Sequence, residues 1–256
     1  MRLPFKQRLK LIRQSLYAAT GFRNHRPVAV KDHPLGAEIL VDDVCVIVPS
    51  ALRWKLYRKG WTARLDQLAR EYGLGRYLDL APDSVVLDIG ANAGEFAHVA
   101  ARSGARIFCV EPDPRAFACL QHNIKDLPNA SCREALFWNE AATLDFYSAP
   151  ERADSSVFAE GEGPKLVRRA MTADAFARDT GLTRIDLVKC DAEGAEPEVL
   201  EGATDILRMA RLVAVDTGAE RKGARTNIEC AAILNAAGLK VIEEKVGKRQ
   251  MSYGVR

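Results

Sequence analysis

The 256-residue sequence predicts an α/β fold: a mostly parallel sheet with helices on both faces, preceded by an N-terminal extension of helix and short strands. Three observations lead there. Short, almost wholly apolar runs recur from Ser84 onward. Segments with helical spacing separate them. The runs end in acidic or glycine residues, where the chain must turn. Fully apolar strands belong to a sheet buried on both faces, which alternating helices provide.

The elements follow in order. Residues 1–31 hold Arg2, Lys6, Arg8, Lys10, Arg13, Arg23, Arg26 and Lys31 and no acidic side chain. Phe5, Leu9, Ile12 and Leu16 are spaced four, three and four apart, which places them on one helical face. That face is expected to cover the protein's own core. A basic amphipathic helix resting on an anionic membrane or an acidic partner through residues 1–26 is the alternative. Residues 37–48 predict one or two short strands. Residues 50–80 read as helical, with Leu65, Leu68, Ala69 and Tyr72 at helical spacing and Gly73 and Gly75 marking the end. The basic and aromatic mixture of Arg53, Trp54, Lys55, Tyr57, Arg58, Lys59 and Trp61 is expected to be a solvated face with its rings packed inward. Contact with phosphates or sugars is the other reading.

Strands are predicted at 85–90 (VVLDIG), 106–112 (RIFCVEP), 131–137, 143–148, 185–191 (IDLVKCD), 211–217 (RLVAVDT) and 239–245 (LKVIEEK). Helices are predicted at 93–103, 114–125, 195–208 and 226–237. Residues 149–165, rich in small, charged and glycine residues, predict a long surface loop. The division expected is an extension over 1–83 and a ligand-binding domain over 84–256.

Composition narrows the function. Lys plus Arg number 37 against 34 Asp plus Glu, a net charge of +3, too small for a large nucleic-acid footprint. The six cysteines form no CxxC, and Cys45, Cys109 and Cys190 lie in apolar runs, which points to a reducing compartment rather than a disulfide framework. The four histidines lack metal-ligand spacing. No apolar run approaches the ~20 residues that span a bilayer, and charges break every apolar stretch near the N-terminus, unlike a signal peptide. The expected location is the cytoplasm, with peripheral contact at the inner face of the membrane as a further expectation.

The strongest motif is VVLDIGANAGEFA, residues 85–97: a strand ending at Asp88, a glycine-bearing turn, then a helix. Gly90 and Gly94 let the backbone turn and approach a ligand. Glu111 ends the next strand about 20 residues beyond Gly90, where an acid accepts hydrogen bonds from both hydroxyls of a ribose. A dinucleotide fingerprint would place glycines where this chain has Asn92 and Glu95, and a carboxylate there opposes a pyrophosphate. Asp88 suits a cationic amino-acid moiety, so S-adenosylmethionine fits better than NAD. The second motif is LVKCDAEGAEPEVLEGA, residues 187–203, which clusters Lys189, Asp191 and Glu193 at the carboxyl end of a buried strand.

Together, VVLDIGANAGEFA, FCVEPDP and VKCDAEGAEPEVLEGA resemble the FkbM family of S-adenosylmethionine-dependent methyltransferases over roughly residues 84–217. The resemblance implies a Rossmann-like class I methyltransferase fold and O-methylation of a hydroxyl on a sugar, glycan or natural product, with S-adenosylhomocysteine as product. It places Asp88, Gly90, Asn92, Gly94, Glu111 and Asp113 around the cofactor, and Asp191 and Glu193 toward the transferring methyl and the acceptor. The family usually carries a glutamate where this chain has Asp216, followed by Thr217 and Gly218.

Methyl transfer from a sulfonium is an in-line displacement, so the protein mainly positions the acceptor and takes its proton. Asp191 is the expected base, with Glu193 orienting the acceptor or Lys189. No resident metal is expected; a variant in which Asp191 and Asp216 hold Mg²⁺ against a diol lacks an evident third ligand. Two rivals are an NAD-dependent oxidoreductase, disfavoured by the missing third glycine and Tyr-x-x-x-Lys pair, and a non-catalytic cofactor-binding module.

Overall fold

The structure, a computed structural model, describes residues 4–151, 154–161 and 163–256; Arg2 and part of the 149–165 stretch lie outside them. Helix α1 (Phe5–Ala19) leads into a three-stranded antiparallel sheet of β1 (Ala29–His33), β2 (Gly36–Val41) and β3 (Val44–Val48). A 3₁₀ segment, Ala51–Tyr57, and helix α2 (Trp61–Glu71) complete the extension. The alternation then begins: β4 (Val85–Ile89), α3 (Glu95–Ala101), β5 (Arg106–Glu111), α4 (Pro114–Ile124) and β6 (Ala130–Glu134). A small sheet of β7 (Leu136–Phe137), β8 (Ala142–Tyr147) and β9 (Lys165–Met171) interrupts it, followed by α5 (Ala173–Thr180). The last section is β10 (Leu187–Cys190), α6 (Glu196–Glu201), α7 (Thr204–Met209), β11 (Leu212–Asp216), α8 (Asn227–Ala236), β12 (Lys240–Val246) and β13 (Arg249–Val255).

Seven strands form the main sheet in the order β12-β13-β11-β10-β4-β5-β6. The β6-β5-β4-β10-β11 portion is parallel, and β13 runs antiparallel between β11 and β12. This is the class I methyltransferase arrangement that the resemblance implies. Side-chain alternation puts the core on both faces. Val86, Leu187 and Leu212 join one cluster with α2 and α3 residues such as Leu68 and Phe96. Leu87, Val188 and Val213 join the other, with Phe176, Leu200 and Leu234. The chain leaves β4 toward one edge and β10 toward the other, so a crevice opens at the carboxyl ends of these two strands, where open α/β sheets bind ligands.

Several expectations change. The 195–208 helix is two helices, broken at Gly202, where a Cβ would lie 2.2 Å from the Trp138 carbonyl oxygen. The long loop is shorter than expected, since Tyr147 bridges to Ser156 and β9 begins at Lys165. Strands β1, β9 and β13 and helix α5 were not anticipated. Helix α5 carries ordinary signals: Thr172 caps it by accepting from the Ala175 N–H at 3.0 Å, and Gly181 ends it at φ 67°. The expectation for α1 reverses. Its apolar face is in water, with Phe5 75%, Leu9 50%, Ile12 57% and Leu16 63% exposed. The helix docks instead through Gln14, whose Nε2 donates to the Arg26 carbonyl at 2.8 Å and the Arg58 carbonyl at 3.0 Å. Among the described residues, no helix is long and apolar enough to cross a membrane.

Candidate active site

The two motifs meet where β4 and β10 end. Gly90, at φ 74°, lies so close to the next strand that a Cβ on it would sit 1.8 Å from the Asp191 carbonyl oxygen. Register does the rest. Asp88 and Lys189 are paired across β4 and β10, and Lys189 Nζ is 2.6 Å from Asp88 Oδ1. Lys189 also donates to the Gly90 carbonyl at 3.0 Å, and its ammonium lies 5.1 Å from the centre of the Tyr72 ring. Burial works against its charge, but the carboxylates of Asp88 and Asp191 outweigh that and hold Lys189 protonated. Lys189 therefore fixes the glycine turn from beneath.

A partly open cavity of about 100 Å³ sits above this junction. Of the expected cofactor residues, Gly90, Asn92 and Glu111 line it. Asp88, Gly94 and Asp113 do not. Asp88 is fully buried against Lys189. Gly94 packs under Leu120 and Ile124. Asp113 caps α4 through the Arg115 and Ala116 N–H groups and also accepts from the hydroxyls of Ser148 and Ser155. The Asp-Pro at 113–114 is a helix-start signal, which explains its position. Glu111 takes one backbone N–H on each oxygen, from Asn92 and Asp113, both at 2.8 Å. Burial raises it to about 7 against the pull of those two donors.

The extension supplies part of the wall. Glu95, in the first turn of α3, accepts from the Tyr57 hydroxyl at 2.9 Å and Arg64 Nε at 3.0 Å, and Arg53 Nη2 lies 3.7 Å away. Burial would raise its carboxyl; Arg64 and Arg53 prevail and hold it down to about 2. Arg53 donates to Asn92 Oδ1, yet its Nε is buried without an acceptor. The basic and aromatic mixture of 53–61 thus furnishes cavity residues as well as a packed face.

All three expected catalytic residues, Lys189, Asp191 and Glu193, line the cavity. Asp191 Oδ2 accepts from the Tyr72 hydroxyl at 2.7 Å and from Arg249 at 2.8 Å, while Oδ1 is buried with no donor. Burial alone would raise Asp191; Arg249, Lys189 and Tyr72 outweigh it and pull it down to about 2. Glu193 behaves oppositely. Burial, then repulsion from Asp191, Glu220 and Asp154, pushes its carboxyl well above the usual range. The backbone at Glu193 has φ 51°. It is held by Ser156, whose hydroxyl donates to the Glu193 carbonyl at 2.7 Å, and by Glu196, which accepts from the Ala192 and Gly194 N–H groups at 3.0 Å each.

Arg249 was not anticipated. It bonds to Asp191 and Asp216 and lies 3.5 Å from Glu71, so one guanidinium from the start of β13 ties three acids together. A readable signal existed: Val246 faces Arg249 across a two-residue Gly247–Lys248 turn, a hairpin pattern. Asp216 and Asp191 end neighbouring strands as expected, and Glu220 brings a third carboxylate oxygen within 4.8 Å of theirs. These three could hold a divalent cation; in this arrangement the cation on Asp191 and Asp216 is Arg249.

Burial raises Asp216 to about 6 and both Glu111 and Glu196 to about 7, above the 3.8 and 4.5 of ordinary Asp and Glu. A raised folded-state value favours the folded protein fully below the unfolded value, and that advantage is lost as pH climbs through the folded one. Glu95 and Asp191 have the reverse sign, but at about 2 their contribution is already complete above the unfolded value. Glu220, raised to about 9, extends the same trend, while His98, lowered by burial, opposes it at the acid end, so the thermal midpoint of the protein without ligand should fall on balance from about pH 5 to about pH 9. A scanning-fluorimetry series shows this, and a flat profile would contradict the burial of these acids.

A second, wider groove of about 1110 Å³ opens beside the cavity. Among the described residues, Arg53, Arg64, Glu193 and Arg249 line both spaces. The site is thus a narrower chamber and a more open groove joined at one carboxylate and three guanidinium groups.

Comparison with known proteins agrees with this geometry. The sequence profile of the methyltransferase FkbM domain matches residues 88–221, about half the chain. The 2-O-methyltransferase NoeI of Sinorhizobium fredii is 29% identical over 152 residues, which cover 52% of this chain and 62% of that protein. The hexuronic acid methyltransferase AglP of Haloferax volcanii is 28% identical over 157 residues, covering 60% of this chain and 64% of that protein. The methyltransferase sdnD of Sordaria araneosa is 28% identical over 204 residues, covering 65% and 78%. The chain therefore spans less than two thirds of the length of the first two relatives. With the glycine turn, Glu111 and the Lys189–Glu193 element gathered at one crevice inside the matched span, the chain belongs to the FkbM methyltransferase family.

Proposed function

We propose that the protein is an S-adenosylmethionine-dependent O-methyltransferase whose acceptor is a hydroxyl of a sugar in a glycan or glycoconjugate. The observation that carries this reading is the join between the two spaces. The cavity behind the glycine turn suits the donor, the wider groove of about 1110 Å³ suits a bulky acceptor, and Glu193 is the one carboxylate among the described residues that lines both. The hexuronic acid in the name of one relative and the 2-O position in the name of another support the acceptor class. A natural-product hydroxyl would be chemically equivalent at Glu193; the heavily charged groove, with Lys55, Lys59, Asp66 and Glu71 on its walls, favours a polar acceptor. The reacting unit is 84–256, which holds the whole central sheet, with 1–83 as an extension that completes the chamber through Arg53, Arg64 and Tyr72. Six unpaired cysteines support a reducing, cytoplasmic setting.

The cavity residues fit the donor. Glu111 retains lone pairs for two ribose hydroxyls beyond the N–H groups it already accepts. The buried, unpaired Arg53 Nε suits an α-carboxylate, and the unpaired Asp191 Oδ1 suits the ammonium that the sequence assigns to Asp88. Glu95 puts a carboxylate in the first turn of α3, where a dinucleotide would need its pyrophosphate. When bound, S-adenosylmethionine supplies an electrophilic methyl on a sulfonium. The chain's own work is to place the acceptor and remove its proton. Lys189 positions the Gly90 turn. Asp191, ionised but weakly basic at about 2, orders Tyr72 and Arg249. Glu193, more basic and standing at the join, accepts the hydroxyl proton as the oxygen attacks.

Calorimetry with S-adenosylmethionine and NAD, followed by transfer of a labelled methyl to a panel of oligosaccharides that includes uronic acids, tests the reading. S-adenosylmethionine alone should bind, and label should enter a sugar. Binding of NAD instead would revive an oxidoreductase, and binding of neither a non-catalytic module. Arg53→Ala should weaken S-adenosylmethionine by about 10- to 100-fold, the worth of one hydrogen bond to a charged group.

A further inference from the structure

Helix α1 presents an arrangement that the site does not use. At about 100° per residue, Phe5, Leu9, Ile12 and Leu16 fall within an arc of about 60°. Gln14, only 2% exposed, lies on the opposite side, where its amide is held by the Arg26 and Arg58 carbonyls. Leu11, half-buried, packs with the cluster of Val28, Trp54 and Tyr57. The helix is therefore clamped with its apolar ridge facing away from the body. Four of the eight large apolar side chains exposed among the described residues are on this one ridge. A solvated helix has no reason to concentrate them there.

The flanks identify what covers the ridge. Arg13, Lys6 and Lys10 are exposed along one side, and Arg8 stands on the other. The first 31 residues carry eight basic side chains and no acidic one, although the whole chain is only +3. A second copy of the helix would set like charges against each other. An anionic surface with an apolar interior matches both features, and a narrow apolar stripe with basic flanks is the pattern of a helix lying in the plane of a bilayer. We propose that α1 binds an anionic lipid bilayer, with Phe5, Leu9, Ile12 and Leu16 inserted among the acyl chains and the basic flanks on the headgroups. Through Arg58 the helix is fastened next to the Ala51–Tyr57 segment, whose Arg53 and Lys55 line the groove, so attachment and site share one support.

The inference does not depend on methyl transfer and is tested without a cofactor. The full chain is sedimented with vesicles of phosphatidylcholine alone and of phosphatidylcholine mixed with phosphatidylglycerol. Binding should be at least about 100-fold tighter on the anionic vesicles, as expected for several basic side chains at a charged surface, and should weaken as salt shortens the screening length. The double variant Leu9→Glu/Ile12→Glu changes only exposed positions. It should lose vesicle binding while its thermal midpoint and its activity on a free acceptor stay unchanged. Lys6→Glu/Lys10→Glu should lose the preference for anionic lipid. Absence of binding to anionic vesicles, or equal binding by the Leu9→Glu/Ile12→Glu variant, overturns the proposal. So does a concentration-dependent dimer that this variant dissolves without any vesicle binding, which would assign the ridge to a second copy.

Discussion

Changing Glu193 to glutamine is expected to lower kcat by roughly 10²- to 10⁴-fold, the usual worth of a positioned general base. Glutamine keeps the size of the side chain and the shape of the join, so affinity for S-adenosylmethionine should hold. The pH profile separates this from a structural effect. Burial and the charges of Asp191, Glu220 and Asp154 raise Glu193 well above the usual carboxylate range. A base must first lose its proton, hence kcat/KM of the wild type should climb with pH until Glu193 is ionised. Glu193→Gln should remove that rising limb. Asp191→Asn should also slow turnover, because Arg249 and Lys189 lose a counter-charge, but the rising limb should survive. If Glu193→Gln kept both its rate and its limb while Asp191→Asn lost the limb, the base would be Asp191.

Gly90→Ala is expected to be the most disruptive single methyl group in the chain. Its Cβ would meet the Asp191 carbonyl oxygen at 1.8 Å, and a backbone atom cannot rotate away. Relief requires β4 and β10 to part, which would loosen the hydrogen bonds that the Gly90 and Ala91 N–H groups make to the Val110 carbonyl at 2.9 and 3.0 Å and the Lys189 bond to the Gly90 carbonyl at 3.0 Å. A left-handed φ adds about 1–2 kcal/mol for any residue with a Cβ. A loss of about 4 kcal/mol or more belongs to this class of defect, and for a chain of this size it lowers the midpoint by roughly 10 °C. S-adenosylmethionine binding should fall below detection. Gly75→Ala is the control. Gly75 also has a positive φ, 78°, but nothing lies within 4 Å of its Cβ position. Only the backbone term applies there. Equal shifts in scanning fluorimetry for the two variants would remove steric contact from the explanation.

Much of the fold was legible because parallel strands buried on both faces must be apolar along their whole length. VVLDIG and IDLVKCD announce themselves for that reason, and the glycine turn between β4 and α3 follows from φ values that only glycine adopts freely. Strands with one wet face lack that signature. Residues 165–171 of β9 alternate between half-buried and exposed side chains, and β1 is largely exposed. Helix α1 shows the limit of amphipathic pattern. Its spacing correctly groups Phe5, Leu9, Ile12 and Leu16, but the direction in which a stripe faces depends on what the opposite side can grip, here two carbonyls within reach of Gln14.

The sequence alone determined the parallel part of the sheet, the turn at Gly90, the acid at Glu111 and the Lys189–Glu193 cluster, because each rests on local backbone geometry or on spacing along one strand. Tertiary structure decided which carboxylate is basic. Asp191 and Glu193 are two residues apart and chemically alike in the sequence. Arg249 arrives from the far end of the chain and Tyr72 from the extension, and both settle on Asp191, whereas Glu193 receives mainly negative neighbours. A pKa is set by charges within a few ångströms in space, and nothing in the order of residues states which those will be.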